Sequence, residues 1–165
     1  MSGVSRKPTL YLLCGLPGSG KTTLAKRLEL ETLALRLTPD EWMTPLYGET
    51  ICELDTLDRW NIAHDRVEDV QWQIPERALS LGVNVVLDFG VWTRDEREDF
   101  RTRAAAVGAR SELIFLDEPL DVLKERVRAR NEAPGQGAYA ISEAELEQWW
   151  AFFQRPSQDE LKPRE

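Results

Sequence analysis

Apolar positions divide the chain into short continuous runs and longer periodic stretches. Thr9 to Cys14 (TLYLLC) is an unbroken β-prone run that ends in a glycine-rich turn, and Lys21 to Glu31 follows with leucines at helical spacing; this predicts strand, loop, helix. Leu33 to Leu37 predicts a second strand, leading into Thr38-Pro39-Asp40-Glu41, where Thr38 can cap a short helix with Pro39 at its first position. From about Thr56 to Leu81 the stripe Trp60, Ala63, Val67, Val70, Ile74 predicts a long amphipathic helix, bent or broken at Pro75 and closed by Gly82. Val83 to Leu87 predicts a third strand that ends at Asp88. A helix from about Thr93 to Val107 then stops at Gly108, and a fourth strand, Glu112 to Leu116, ends at Asp117. Leu120 to Arg130 reads as a basic helix, and residues 131–140 as a Gly/Pro/Ala-rich connection. Ser142-Glu143-Ala144-Glu145 is a capping-box start to a final helix through Phe153, with the tail beyond Pro156 frayed or wrapped over the surface. Continuous apolar strands alternating with helices argue for a parallel sheet covered on both faces, with ligands bound beyond the carboxyl ends of the strands.

Gly15-Leu16-Pro17-Gly18-Ser19-Gly20-Lys21-Thr22 matches GxxxxGK[ST] in full and lies between the first expected strand and helix, the context in which the motif cradles phosphate. A chance match to the four fixed positions arises in about one chain of this length in two hundred, and the strand and helix on either side make chance rarer. Glycine backbone conformations let successive amide N–H groups point at phosphate oxygens, reinforced by the positive end of the following helix. Lys21 adds a charge for the β- and γ-phosphates of ATP, the Thr22 hydroxyl is a ligand for Mg²⁺, and Thr23 is a further phosphate contact. The expected fold is therefore an α/β, three-layer α/β/α P-loop NTPase fold of the kinase-like kind. It should hold a parallel sheet of four to five strands and a small helical lid near residues 124–141, all within one domain spanning 1–165.

The motif alone does not separate a kinase from a switch or motor NTPase, so the chemistry depends on other residues. Asp40 lies three residues past the second strand, near where the γ-phosphate should sit, and is the candidate base for an acceptor hydroxyl, with Glu41 as the fallback; the plainer reading is an acid favoured at a helix start. Asp88 ends a buried strand, where a carboxylate can hold Mg²⁺ directly or through water, or make a turn. Asp88-Phe89-Gly90 imitates the DFG triplet of protein kinases, but no HRD signature accompanies it. Arg126 and Arg130 share one helix face and can converge on an anion, while Arg128 points away; the plainer reading is a solvated face with cations near a helix C-terminus. His64 lies off the apolar stripe and reads as a surface or hydrogen-bonded histidine. Trp60, Trp72, Trp149 and Trp150 suit core positions, whereas Trp42 and Trp92 follow strand ends, where either can face an acceptor.

Composition narrows the partners. The 165 residues are 42% apolar with six tryptophans, enough for a substantial core, and 29 acidic against 21 basic residues give a formal charge of −8, which disfavours polyanions such as nucleic acid without excluding them. No signal-peptide pattern opens the chain and no run of roughly 20 apolar residues appears, so a cytoplasmic protein without a membrane partner is expected. Cys14 and Cys52 lack metal-site spacing and are expected reduced, Cys14 buried.

These residues resemble the small P-loop kinases grouped as AAA_33-type ATP-binding proteins, related to polynucleotide 5′-kinase domains, chloramphenicol phosphotransferase and zeta-toxin-like kinases. GLPGSGKTTLA is similar to the family's opening, TPDEW to its strand-two aspartate motif, DEPLDVLKERVRARN to its lid helix, and ISEAELEQWWAFFQRPSQDE to its closing helix and tail. The resemblance implies Asp40 as base, Lys21 and Thr22 on phosphate and Mg²⁺, and Arg126 and Arg130 in the lid. Two positions depart from it: Met43 stands where polynucleotide kinases carry an arginine near the acceptor phosphate, and Phe89-Gly90 replaces small hydroxyl or amide residues. The expected activity is transfer of the γ-phosphoryl group of ATP to a hydroxyl of a small or medium-sized acceptor. The alternatives are 5′-hydroxyl phosphorylation of a polynucleotide and a nucleotide-gated interaction module with little turnover. The oligomeric state is open.

Overall fold

The computed structural model describes residues 7–48, 57–133 and 140–165. Four strands, β1 (Thr9–Cys14), β2 (Leu35–Leu37), β3 (Val85–Gly90) and β4 (Arg110–Phe115), form one parallel sheet in the order β2-β3-β1-β4. The helices are α1 (Lys21–Thr32), α2 (Pro39–Tyr47), α3 (Leu57–Ser80), α4 (Arg94–Ala106), α5 (Leu120–Glu132) and α6 (Glu143–Phe152). Each expected strand is present, β1 with its expected bounds and the others with ends shifted by up to three residues. The second strand begins at Leu35 because Leu33, at φ 51°, ends α1 in the left-handed region.

Alternation along the strands explains the layers. Leu10, Leu12 and Cys14 face one side with Val85 and Leu87, packing against Trp72 and Leu79 of α3 and Ala104 of α4. Leu13 and Val86 face the other side against Ala25 of α1. Both faces are covered, which is why these strands read as continuous apolar runs. A third cluster joins Leu16 to Leu123 and Val127 of α5 and Leu146 of α6; a fourth joins Met43 of α2 to Trp60, Ala63 and Val67 of α3. Pro75 does not break α3, which runs on to Ser80. Residues 134–139 of the expected lid connection, and Cys52, lie outside the described residues; Cys14 is free and buried.

Helix α4 departs furthest from its sequence pattern, because two of its arginines are 1% and 2% exposed. Arg97 donates from Nε to Glu160 (2.8 Å) and from Nη1 to the carbonyls of Val91, Trp92 and Gln154 (3.3, 3.2 and 2.9 Å). Arg101 donates from Nε to Ser111 (3.1 Å) and from its terminal nitrogens to the Glu160 and Lys162 carbonyls. The tail is thereby wrapped and pinned, and Arg164 closes it with a pair of backbone hydrogen bonds to Ser111 on β4 (2.9 Å each). Burying a guanidinium costs several kcal/mol unless its donors are met, and here carbonyls and one carboxylate meet them.

Removing one partner should therefore cost more than removing both. Glu160→Ala is expected to destabilise the fold by about 3–5 kcal/mol, and the double change Arg97→Met/Glu160→Leu by less, as read from chemical-denaturation midpoints. A double variant at least as unstable as the single one would contradict the pairing.

Candidate functional site

The turn between β1 and α1 can be built only with glycine at its entrance. A Cβ on Gly15 would lie 2.7 Å from Ser19 Oγ and 3.0 Å from the Leu116 carbonyl oxygen. The Gly15 N–H donates to the Gly90 carbonyl at 3.1 Å, which ties the loop to the end of β3. Gly20 leads into α1 at φ 92°. Lys21 folds its Nζ onto the Leu16 carbonyl at 3.0 Å; burial lowers its pKa, opposed by the nearby charges of Asp88 and Asp40.

Asp88 is 6% exposed and gathers three elements. Its Oδ2 accepts from Thr22 Oγ1 of α1 at 2.6 Å and from Thr38 Oγ1, between β2 and α2, at 3.3 Å. Thr38 stands at the N-cap of α2 as expected, yet it makes no side-chain cap bond, because its hydroxyl is turned to Asp88 and also accepts from Arg36 Nη1 at 2.6 Å. Burial raises the Asp88 pKa against the charge of Lys21 and the Thr22 hydrogen bond. Asp88 Oδ1 is buried without a hydrogen-bond partner. A hydroxyl beside a carboxylate with one unsatisfied oxygen suits a hard, oxygen-seeking cation such as Mg²⁺.

Asp40 enters from the first turn of α2, and its Oδ1 lies 3.2 Å from His64 Nε2 of α3. Its surroundings disfavour charge through desolvation. The His64 hydrogen bond and the charges of His64, Arg130 and Lys21 outweigh that and hold its pKa below the usual carboxylate value. For His64 the balance runs the other way: burial lowers its pKa, but the Asp40 hydrogen bond and the charges of Glu68, Asp40 and Asp65 raise it overall. His64 Nδ1 faces Glu68 at 3.6 Å, and burial pushes the Glu68 carboxyl up to about 7. Glu41 is engaged elsewhere, paired with Arg36 (3.0 Å) and Lys26 (3.5 Å).

These groups open into a cleft of about 640 Å³, within the range of small-molecule sites. Pro17, Gly18, Gly20, Lys21, Thr22 and Thr23 of the loop line it, as do Asp40, Asp88 and Arg130. Gly15 and Ser19 support the loop from beneath it, Ser19 at 4% exposure. Arg126 stands apart from Arg130: its Nη1 donates to the Gly18 carbonyl (3.1 Å) and to Glu118 (3.2 Å), while Arg128 pairs with Glu143.

The aromatic expectations need correction. Trp42 packs into the core, and Met43, at 0% exposure, is buried against α3, so neither lines the cleft. Trp92 does, with its Nε1 donating to the Gly15 carbonyl at 3.2 Å. Gly90 permits this, since at φ 92° a Cβ would stand 2.8 Å from that indole nitrogen. Val91 follows at φ 36°, a strained value for a β-branched residue, with its carbonyl held by Arg97. Trp60 and Trp149, expected in the core, also reach the cleft wall. His64, expected as a surface or hydrogen-bonded histidine, pairs with Asp40 and lines the cleft, and its four-residue spacing from Trp60 places both on one flank of α3.

The AAA_33 family model, described as an AAA domain, matches residues 10–156. No curated protein matches the chain. Among solved structures, one chain of the Pnkp1/Rnl/Hen1 RNA repair complex is similar at 21% identity and TM-score 0.71, over 92% of this chain but 45% of that one, so this protein spans less than half its length. Kti12 of Chaetomium thermophilum, in complex with ADP-AlF3, is similar at 17% identity and TM-score 0.65, over 90% of this chain and 81% of that one. A gluconokinase from Sinorhizobium meliloti 1021 is similar at 19% identity and TM-score 0.61, over 93% and 79%. At such identities the likeness is one of fold. Because the family model covers nearly the whole chain, phosphate loop included, the protein belongs to the AAA_33 family, on a kinase-like P-loop NTPase fold.

Proposed function

We propose that the protein is an ATP-dependent kinase that transfers the γ-phosphoryl group to a hydroxyl of a small or medium-sized acceptor. One observation carries this reading: a carboxylate, Asp40, with its Oδ1 3.2 Å from His64 Nε2, lines the same cleft as Arg130, Lys21 and the phosphate loop. A nucleotide switch has no need of such a base opposite its phosphates.

In the step itself the acceptor oxygen bonds to the γ-phosphorus as the bond from that phosphorus to the β,γ-bridging oxygen breaks, releasing ADP. The hydroxyl proton passes to Asp40, whose low pKa returns it readily to water. Phosphoryl transfer asks mainly for positioning and charge neutralisation, so a weakly basic carboxylate suffices. Lys21 positions the β- and γ-phosphates, and Arg130 faces the charge that develops between them and Asp40. Thr22 and Asp88 would hold Mg²⁺, which when bound spreads the charge of the phosphate oxygens. Arg126, anchored at Gly18, steadies the loop in this arrangement. The C-terminal part of α5, from residue 124 onward, belongs to the lid of a single catalytic domain, with α6 outside it.

A second reading, phosphorylation of a polynucleotide 5′-hydroxyl, is favoured by the fold likeness to the RNA repair complex. Against it, the cleft beside Asp40 is lined, among the described residues, by Asp65 and Glu96 with only Lys21 and Arg130 as strong cations, and Met43 is buried. This is a poor path for a phosphate backbone.

Asp40→Asn should bind ATP nearly as well as the parent and transfer phosphate about 10²- to 10⁴-fold more slowly, read by steady-state transfer beside nucleotide binding. Undiminished transfer would remove Asp40 from the role. A second prediction uses the fact that His64 is the chain's one histidine, so its imidazole gives a single resonance to titrate by NMR. It should titrate above the ordinary value near 6.5 and move down toward it in Asp40→Asn. By linkage, the stability of the pair is complete below that ordinary value and lost as pH rises through the raised one. The gain is on the order of 0.5 kcal/mol, because the Asp40 carboxylate is half exposed. A titration unmoved by Asp40→Asn would contradict the contact.

A further inference from the structure

The cleft has aromatic and acidic lining that phosphate binding does not explain. Trp60 comes from α3 and Trp149 from α6, and Trp92 lies between β3 and α4; all three line it, and the Trp92 and Trp149 rings lie 5.4 Å apart. Asp65 of α3 and Glu96 of α4 line it as well. Of the cations in the cleft, Lys21 and Arg130 are drawn electrostatically to Asp88 and Asp40, with Arg130 Nε buried without a hydrogen-bond partner, and His64 faces Asp40, Glu68 and Asp65. Neither Asp65 nor Glu96 forms a salt bridge to a lysine or arginine among the described residues. Glu96 takes part in the capping box of α4, accepting from the Thr93 N–H at 2.8 Å through Oε2. Of the segments outside the described residues, 49–56 and 134–139 contain no lysine or arginine, and 1–6 contains one, Arg6.

The carboxylates also sense one another across the cleft. Glu68, raised to about 7 chiefly by burial, is pushed further by the charges of Asp65, Glu96 and Asp40, which arrive from α3, α4 and α2. A space with aromatic walls and carboxylates from several helices attracts a positively charged organic group: the ring faces supply cation–π attraction and the carboxylates supply charge. A phosphorylated, carboxylated or polynucleotide acceptor meets repulsion in the same place.

We infer that the acceptor is a hydroxyl compound carrying a protonated amine, an amino alcohol whose ammonium group sits between the Trp60, Trp92 and Trp149 rings and the Asp65 and Glu96 carboxylates. The word acceptor rests on the phosphoryl-transfer reading; the charge selectivity of the cleft does not.

Three ligands of one skeleton test it: 2-amino-1-phenylethanol, its neutral N-acetyl derivative, and the acid 2-hydroxy-2-phenylacetate. Binding to the full chain in the presence of ADP and Mg²⁺ is followed by quenching of tryptophan fluorescence, which needs no turnover. The amine should bind at least about tenfold tighter than the acetamide, and the acid most weakly. Asp65→Asn/Glu96→Gln should reduce the preference to less than about threefold, with glutamine keeping the cap of α4 and ADP affinity reporting an intact fold. Equal binding of the three, a preference for the acid, no binding of any, or a preference untouched by the double variant overturns the inference. So does displacement of the amine by Mn²⁺ added without nucleotide, which would make the carboxylates a metal site. Parallel assays with γ-labelled ATP separate the two readings. Selection of the amine without label transfer to any hydroxyl keeps the charge selectivity and removes the kinase; label passing preferentially to neutral or acidic alcohols keeps the kinase and removes the inference.

Discussion

A buried carboxylate is costly to keep charged, and this site is arranged around one. Asp88 sits at the end of β3 with 6% exposure, and hydroxyls from α1 and from the β2-to-α2 turn are drawn to its Oδ2. Loss of both hydroxyls would strand that oxygen in a dry environment. The bond between Thr22 and Asp88 therefore sets the distance between the phosphate loop and β3, and Thr38 places the first turn of α2, with Asp40 in it, on the same centre. Oδ1 is buried without a hydrogen-bond partner, an oxygen that a cation would satisfy in the proposed reading.

The cleft wall depends on a second, longer chain of contacts. The left-handed step at Gly90 and Val91 turns Trp92 back onto the Gly15 carbonyl, and Arg97 keeps the turn closed by donating to the Val91 and Trp92 carbonyls. Arg97 in turn needs Glu160, far along the chain in the tail. The C-terminal residues thus bear on the cleft through Arg97, and an unpaired guanidinium beneath Trp92 would loosen this wall of it. On the opposite wall the contact between Asp40 and His64 lowers the pKa of the first and raises that of the second, and burial pushes nearby Glu68 up to about 7.

Most of the frame was legible in the residues because its causes are local. The strands read as continuous apolar runs since helices cover both faces, and the loop read from its glycines and Lys21 since only that backbone fits the turn. What escaped depends on contacts distant in sequence. Arg97 and Arg101 sit in a helix whose composition suggests solvent, and their burial is possible only because tail carbonyls come to meet them; no periodicity encodes that. Trp42 and Met43 follow the second strand as Trp92 follows the third, yet α2 rolls the first two into the core against α3, and Gly90 turns the third outward to the cleft. His64 escaped because an apolar stripe identifies the face that packs, and the edge of that face borders the cleft. Arg126 and Arg130 share a helix face as expected, but Glu118 and the Gly18 carbonyl hold the first on the loop.

The most direct measurement follows the labelled γ-phosphate of ATP with Mg²⁺ across neutral, amine-bearing and acidic hydroxyl compounds and a 5′-hydroxyl oligonucleotide, comparing the parent with Lys21→Ala. The account predicts label in a hydroxyl compound, dependent on the acceptor and abolished by Lys21→Ala. Label that appears only as inorganic phosphate with every acceptor, or transfer that survives the loss of Lys21, would contradict it.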